Sequence, residues 1–159
     1  MSFSAQDFRQ VMGTFATGVT IITTQAEGKD PAGLTANAFS SLSLDPPLVL
    51  ICVDKKASAL EEIEAAGHFA VNFLAADQEE LSRKFAKKGE DKFQGVSYRR
   101  GALGDPVLDD TLSHVECKVV QKVDGGDHYV FFGEVVELSN NGGEPLMFFK
   151  GQYFKKLEA

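Results

Sequence analysis

Between Gly33 and Asp54 the chain reads GLTANAFSSLSLDPPLVLICVD. Thr35, Asn37, Ser40, Ser41 and Ser43 crowd short hydroxyl and amide side chains together, with Asp45 beyond. A double proline follows, and the apolar run Leu48 to Val53 after it reads as a buried strand. Polar groups this dense beside a core strand must satisfy either a turn or a ligand. The chemistry on offer is hydrogen bonding to the edge of a flat ring. Thr35, Ala36 and Asn37 can present backbone N–H groups and short side chains to such an edge. Ala36 and Ala38 are small enough to let a ring approach the backbone. Ser40 and Ser41 can donate to the same edge or to a phosphate. An Asx or Ser-rich turn between two strands accounts for the same residues.

Two basic spots could hold that phosphate. Lys55, Lys56 and Ser58 sit where the buried strand gives way to a helix, whose first backbone N–H groups suit an anion. The alternative is that Ser58 only caps the helix and the lysines are solvated. Arg83, Lys84, Lys87 and Lys88 form the second spot, and equally a solvated helix face. His128, in the Gly126–Asp127–His128 triplet, ends a hairpin turn. It can reach a ligand over a barrel edge as donor or charge, or merely flank the turn. His114 alternates with Val115 and reads as structural. His68 follows Gly67 and reads as a capping or surface residue. Phe131–Phe132 and Phe148–Phe149 read as core.

Several chemistries are missing. There is no GxGxxG and no GxxxxGK[ST], so neither a dinucleotide fingerprint nor a P-loop is signalled. The three histidines have no metal-ligand spacing with one another or with the cysteines, so no metal is expected. No GxSxG elbow marks a nucleophile. No side chain is therefore assigned as catalytic; the hard chemistry of any enzyme here belongs to a cofactor. The net charge of −7 argues against a nucleic-acid partner. No apolar run is long enough to span a membrane, and MSFSAQDFRQ lacks the features of a signal peptide. Cys52 and Cys117 read as reduced residues of a cytoplasmic protein.

The elements that must position these residues follow from the same sequence. The 159 residues, with no repeat or linker, read as a single domain over 1–159. Ser4 with Asp7 predicts a helix from Ser4 to about Ala16, with Phe8, Val11, Met12 and Phe15 as its apolar stripe. Gly18 ends that helix or starts the next strand. Strands are predicted over Val19–Gln25, Ala32–Ala36, Leu42–Leu44, Leu48–Asp54 and Phe69–Leu74. Ser58 caps a short helix stopped by Gly67, and Asp77 opens another through Leu81 and Phe85. Lys92 to Pro106 is the least regular part. Strands over Ser113–Val123 and Tyr129–Leu138 are joined by DGGD, a hairpin signal, and a last strand covers Leu146 to Leu157. Strands mostly follow strands. The fold class is mainly β (α+β), an antiparallel barrel or sandwich of six to eight strands with short peripheral helices.

These elements in this order resemble the flavin reductases of the FMN-binding split-barrel superfamily, and especially the small reductase components of two-component flavin-dependent monooxygenases. The motifs carrying the resemblance are FATGVTIITT (Phe15–Thr24), the Gly33–Asp54 stretch, FAVNFL (Phe69–Leu74), LSRKFA (Leu81–Ala86), GDHYVFFGEV (Gly126–Val135) and PLMFFKGQYF (Pro145–Phe154). The resemblance implies a Greek-key split β-barrel and a homodimer with flavin, FMN or FAD, at or near the subunit interface. It implies that Thr35, Ala36, Asn37, Ser40 and Ser41 contact the isoalloxazine ring, and that Cys52, Val53, Asp54 and Ser58 hold the ribityl phosphate region. Arg83, Lys84 and Phe85 would add phosphate contacts. His128, with Tyr153 nearby, would seat the nicotinamide nucleotide, NADH or NADPH. The implied activity is hydride transfer from that nucleotide to flavin, with reduced flavin released to a separate monooxygenase. Two other readings stand beside it: a flavin-holding electron carrier that never uses free flavin, and an oxidase of the pyridoxamine-phosphate type.

Overall fold

The computed structural model describes residues 2–89 and 91–155. Ser4 caps the first helix as its sequence predicts. Its Oγ accepts from the Asp7 N–H at 3.1 Å, and the Asp7 carboxylate accepts from the Ser4 N–H at 2.8 Å. That helix, α1, covers only Ala5–Met12, short of the expected Ala16. The Thr14 and Phe15 N–H groups turn back to the Val11 and Met12 carbonyls instead. Phe8, Val11 and Met12 form the predicted stripe, yet no residue of α1 is buried.

The chain then builds β1 (Thr17–Gly18), β2 (Thr20–Thr24), β3 (Ala32–Ala36), β4 (Phe39–Leu44) and β5 (Pro47–Asp54). After helix α2 (Leu60–Ala66) come β6 (His68–Phe73) and helix α3 (Glu79–Ala86). The long pair β9 (Ser113–Gly125) and β10 (His128–Asn140) follows the short pair β7 (Tyr98–Arg100) and β8 (Pro106–Leu108). The hairpin β11 (Met147–Phe149) and β12 (Gln152–Phe154) ends the described chain. The expected last strand is therefore two strands, turned at Lys150 and Gly151 with φ of 49° and 77°; its end at Leu157 lies outside the described residues. Strand β7 also appears in the stretch expected to be irregular, and β8 begins at its last residue, Pro106.

The main sheet has seven strands in the order β3-β2-β6-β9-β10-β5-β4, every neighbouring pair antiparallel. Its two edge strands, β3 and β4, are joined by Asn37 and Ala38 alone. A sheet whose opposite edges lie two residues apart must curl back on itself. The Cys52 N–H donates to the Ala38 carbonyl at 3.1 Å, which carries the β4–β5 pairing up to that corner. The result is the expected antiparallel barrel with short peripheral helices.

Strand β2 explains why both faces of the sheet are covered: all five of its residues are buried. Ile22 points into the barrel with Ile51, Val53, Phe69, Val71 and Phe131. Ile21 points outward into a second cluster with Val19, Leu74, Phe85, Phe93 and Leu146. Each such side chain contributes about 1.5–3 kcal/mol when fully buried. The threonines flanking them need acceptors there, and find them: Thr20 Oγ1 donates to the Ala36 carbonyl at 2.6 Å and Thr24 Oγ1 to that of His68 at 2.8 Å.

Candidate functional site

Strand alternation divides β5. Val49, Ile51 and Val53 enter the core, while Leu50, Cys52 and Asp54 face outward. Beside this outer face runs β3, which leads into the Asn37–Ala38 corner. Three connected hollows lie along that edge. The largest, about 590 Å³, is walled by Met12 and Phe15, by Asn37 to Phe39, and by Leu50 and Cys52. Asn37 also borders a smaller one of about 160 Å³, closed by Thr35, Ala36, Phe148 and Tyr153. Thr35 in turn borders a third of about 270 Å³, which holds Asp54, Lys56, Ser58, Lys87, Lys88 and Lys92. Together they form one furrow, apolar at the α1 end and cationic at the other.

The hydrogen bonds show which side chains are committed. Thr35 Oγ1 donates to the Ser82 carbonyl at 2.6 Å, which ties β3 to α3. The Ser82 and Tyr153 hydroxyls share a hydrogen bond of 2.7 Å, which aims the Tyr153 ring into the furrow. Asn37 is exposed and makes no side-chain hydrogen bond among the described residues. Burial pushes the Cys52 thiol up, so it stays protonated at neutral pH.

The cationic end is built from lysines without counter-ions. Lys56, Lys87, Lys88 and Lys92 make no ion pair among the described residues. Lys92 is the most constrained. Its Nζ donates to the Gly33 and Phe85 carbonyls, each at 3.0 Å, and burial pulls its pKa below the ordinary lysine range. Ser58 is free as well. The residue preceding α2 is Ala59, in a helical conformation, and no side chain caps that helix. The expected cap is therefore absent, and the Ser58 hydroxyl lines the pocket instead. Gly33 keeps the wall thin: a Cβ there would meet the Phe85 ring at 2.9 Å.

Of the residues singled out in the sequence as site candidates, the furrow gathers Thr35, Ala36, Asn37, Ala38, Cys52, Asp54, Lys56, Ser58, Phe85, Lys87, Lys88 and Tyr153. It does not gather Ser40, Ser41, Val53, Lys55, Arg83, Lys84 or His128. Ser40 and Ser41 lie exposed on β4, where Ser40 Oγ donates to the Ser41 carbonyl. Val53 is wholly in the core. Arg83 pairs with Glu79 at 2.8 Å and lies over the Tyr153 ring, 4.8 Å from its centroid. Lys84 turns to the Gln94 carbonyl on the opposite flank. Lys55 pairs with Asp124 at 2.8 Å. His128 stands opposite Asp54 across β5 and β10, and its Nδ1 lies 2.7 Å from Asp127 Oδ1, a hydrogen bond that holds the Asp127 carboxyl low. It borders none of the three hollows. The sequence reading missed Lys92 and singled out Phe148 only as core. Lys92 sits in the stretch read as irregular, and its partners lie on other elements, so no local pattern could mark it.

The other two histidines are each held by a protein partner. His68 Nδ1 meets the Asp105 carboxylate, at 2.9 Å from each oxygen, with Asp105 fully buried. His114, buried on β9, bonds Ser139 across the strand pair at 2.8 Å.

A profile described as "Flavin reductase like domain" matches residues 12–156. The reductase subunit HsaB of a flavin-dependent monooxygenase from Rhodococcus jostii is 45% identical over 147 residues, covering 92% of this chain and 75% of that protein. The crystal structure of a nitrilotriacetate monooxygenase component B homologue from Mycobacterium thermoresistibile superposes with a TM-score of 0.90 at 44% identity, over 97% of this chain and 90% of the other. An NADH:FAD oxidoreductase from Streptomyces globisporus, solved with NAD and FAD fragments, superposes with a TM-score of 0.90 at 39% identity, over 96% and 92%.

Proposed function

Because this chain belongs to the flavin reductase-like domain family, it is an NAD(P)H-dependent flavin reductase, and we propose that the furrow along β3 is where it works. Flavin, when bound, accepts a hydride from the nicotinamide nucleotide; the protein supplies position and electrostatics. The observation that carries the placement is the cationic pocket: four lysines that make no ion pair among the described residues and a Ser58 that caps no helix, in a chain whose net charge is −7. A ribityl phosphate is the anion that such a pocket fits. From there Thr35, Ala36 and Asn37 lie along the path of the ring, with their backbone and the Asn37 amide as donors to its polar edge. Tyr153, held by Ser82, closes the far side of the 160 Å³ hollow. Holding the two reactants in contact supplies most of the rate, because no side chain of this furrow is a trained acid or base.

The chain works as one domain and as a homodimer in this reading. The support is α1, whose stripe of Phe8, Val11 and Met12 stays more than half exposed although Phe3 stacks on Phe8, and Phe15, which is 78% exposed while walling the largest hollow. A second copy packed on that face would complete the ring end. The two free cysteines fit a reducing, cytoplasmic setting, and among the described residues no helix is long and apolar enough to cross a membrane. In this reading reduced flavin passes to a separate monooxygenase, in keeping with relatives that are named reductase subunits of flavin-dependent monooxygenases. Steady-state oxidation of NADH and NADPH, with and without FMN, FAD or riboflavin, tests the reading. Flavin-dependent oxidation is expected; none with either nucleotide overturns it.

A further inference from the structure

A polar cluster lies on the β9–β10 ladder, away from the furrow. His114 stands opposite Ser139, and Glu116 opposite Glu137. Spaced two apart along each strand, the four side chains share one face. Val115 and Cys117, which alternate with them, pack in the barrel core, so this face is the outer one. The loop between β7 and β8 covers it: the Ala102 and Leu103 N–H groups donate to the two Glu116 oxygens at 2.8 Å and 2.7 Å. Each of those oxygens keeps a further lone pair.

One ring nitrogen of His114 and one carboxylate oxygen from each of Glu116 and Glu137 lie within 4.8 Å of one another. Glu116 is fully buried and Glu137 half-buried. Buried charges are paired or hold a metal, yet neither carboxylate makes an ion pair among the described residues. Burial, and then the Arg99 guanidinium on β7, hold His114 below the ordinary histidine range, so it is neutral at neutral pH. Arg99 itself is exposed and pairs with neither acid. His114 gives an independent sign of a ligand. It is 1% exposed, its Nδ1 is taken by the Ser139 hydroxyl at 2.8 Å, and its Nε2 has no hydrogen-bond partner among the described residues. An imidazole that gives its Nδ1 proton to Ser139 presents a bare lone pair at Nε2. An organic ligand cannot reach that sealed atom. An ion seated among three ligands fills only the space between them, and the half-buried Glu137 leaves it a way in.

We propose that His114, Glu116 and Glu137 bind one divalent transition-metal ion, with zinc the best fit. An imidazole nitrogen and two carboxylate oxygens are donors that zinc takes at about 2.0–2.2 Å, with water in a fourth position. Ser139 fixes the imidazole, as a partner on the other nitrogen does for metal-bound histidines. The role is structural. The cluster borders none of the three hollows of the furrow, and through Glu116 the ion clamps β9, β10 and the loop at Ala102 and Leu103 together. Histidine and cysteine spacing could not mark this site, because two of its ligands are carboxylates and strand register unites them.

The full chain, stripped of metal with a chelator and titrated with zinc chloride alone, tests this. One zinc per chain is expected by elemental analysis after desalting. Zinc at a hundredfold excess over its dissociation constant should raise the melting temperature by roughly 5–10 °C. Glu137→Gln keeps the shape of a side chain that makes no hydrogen bond among the described residues, so circular dichroism and flavin-reducing turnover should stay unchanged. Its zinc affinity should fall about ten- to a hundredfold, and that of Ser139→Ala about tenfold. No stoichiometric zinc in the unaltered protein overturns the inference, as does equal zinc affinity in Glu137→Gln. Zinc lost on His128→Ala but kept in Glu137→Gln would place it at the exposed Asp127–His128 pair, and overturns it too.

Discussion

The two ends of the furrow are finished to different degrees. At the lysine end every wall belongs to this chain and is held from several sides: Lys92 by two carbonyls, Gly33 by the Phe85 ring, Phe85 by Phe93 with centroids 5.0 Å apart. At the ring end the outer wall is Met12 and Phe15, next to a helix that buries nothing. Closed contacts give a phosphate site its fixed geometry, whereas an apolar wall without backing is stable only once something covers it. The difference assigns the two ends different dependences. One should survive in the isolated chain; the other should need a second copy.

The strongest way to break that comparison is at α1. Replacing Met12 and Phe15 together by Asp should raise the dimer dissociation constant at least about a hundredfold, because two buried apolar contacts become two desolvated charges. Sedimentation analysis reads the dissociation. Circular dichroism should stay unchanged, since neither residue packs in a core. FMN affinity should fall less than NADH-dependent turnover does, because the lysine end remains whole. A variant that stays dimeric and fully active would place the subunit contact elsewhere.

Gly33→Ala attacks the other end. The added methyl would lie 2.9 Å from the Phe85 ring and 3.0 Å from the Ile22 carbonyl, and backbone cannot give way as a flexible tip can. Overpacking of this kind costs about 1–3 kcal/mol, a melting temperature lower by roughly 2–10 °C in a chain of this size. Calorimetry reads it, and an unchanged melting temperature would show that Phe85 rotates aside freely.

How much of this was legible beforehand depended on the range of the forces involved. The Ser4–Asp7 cap, the strand at Leu48 to Val53 and the DGGD turn are settled within a few residues, and the structure has them, although only Val49, Ile51 and Val53 of that strand are buried while Leu48, Leu50 and Cys52 are half-buried. Ser58 fooled the local reading. A serine three residues before a glutamate looks like a cap, but the Ala57 and Leu60 N–H groups close turns on Asp54 and Ala57 instead. Asp77 failed for a similar reason. α3 starts two residues on, at Glu79, because the Gln78 side chain bonds the Ala75 N–H and the Asp109 carbonyl. Arg83 and Lys84 have the right charge on the right helix, but Glu79, Tyr153 and Gln94 turn them away from the furrow. Contacts of that range are invisible to periodicity.

Lys92→Met sharpens the lysine end. It should weaken FMN binding about tenfold, one lost charge-assisted contact, and leave riboflavin, which carries no phosphate, unaffected. The pH dependence has a definite sign. Burial lowers the Lys92 pKa, so on alkaline titration it loses its charge before ordinary lysines. FMN affinity should therefore be full at neutral pH and fall as pH climbs toward the lysine range, earlier in the unaltered protein than in Lys92→Met. Identical pH profiles would remove Lys92 from the phosphate contact.

His128 gives the smallest effect and the finest discrimination, because the nicotinamide nucleotide could belong to either end. Within one chain His128 stands against Asp54 at the lysine end, whereas Tyr153 faces the ring end. If both touch the same nucleotide, its two halves must reach across the furrow or between two copies. His128→Ala should then raise the KM for NADH about two- to fivefold with little change in kcat, the pattern of a lost ground-state contact. Tyr153→Phe, which removes the Ser82 hydrogen bond but keeps the ring, should raise the same KM by no more. An altered FMN affinity in His128→Ala, with NADH kinetics untouched, would assign this histidine to the phosphate instead. It would also leave the nucleotide wholly to the end that the second copy completes.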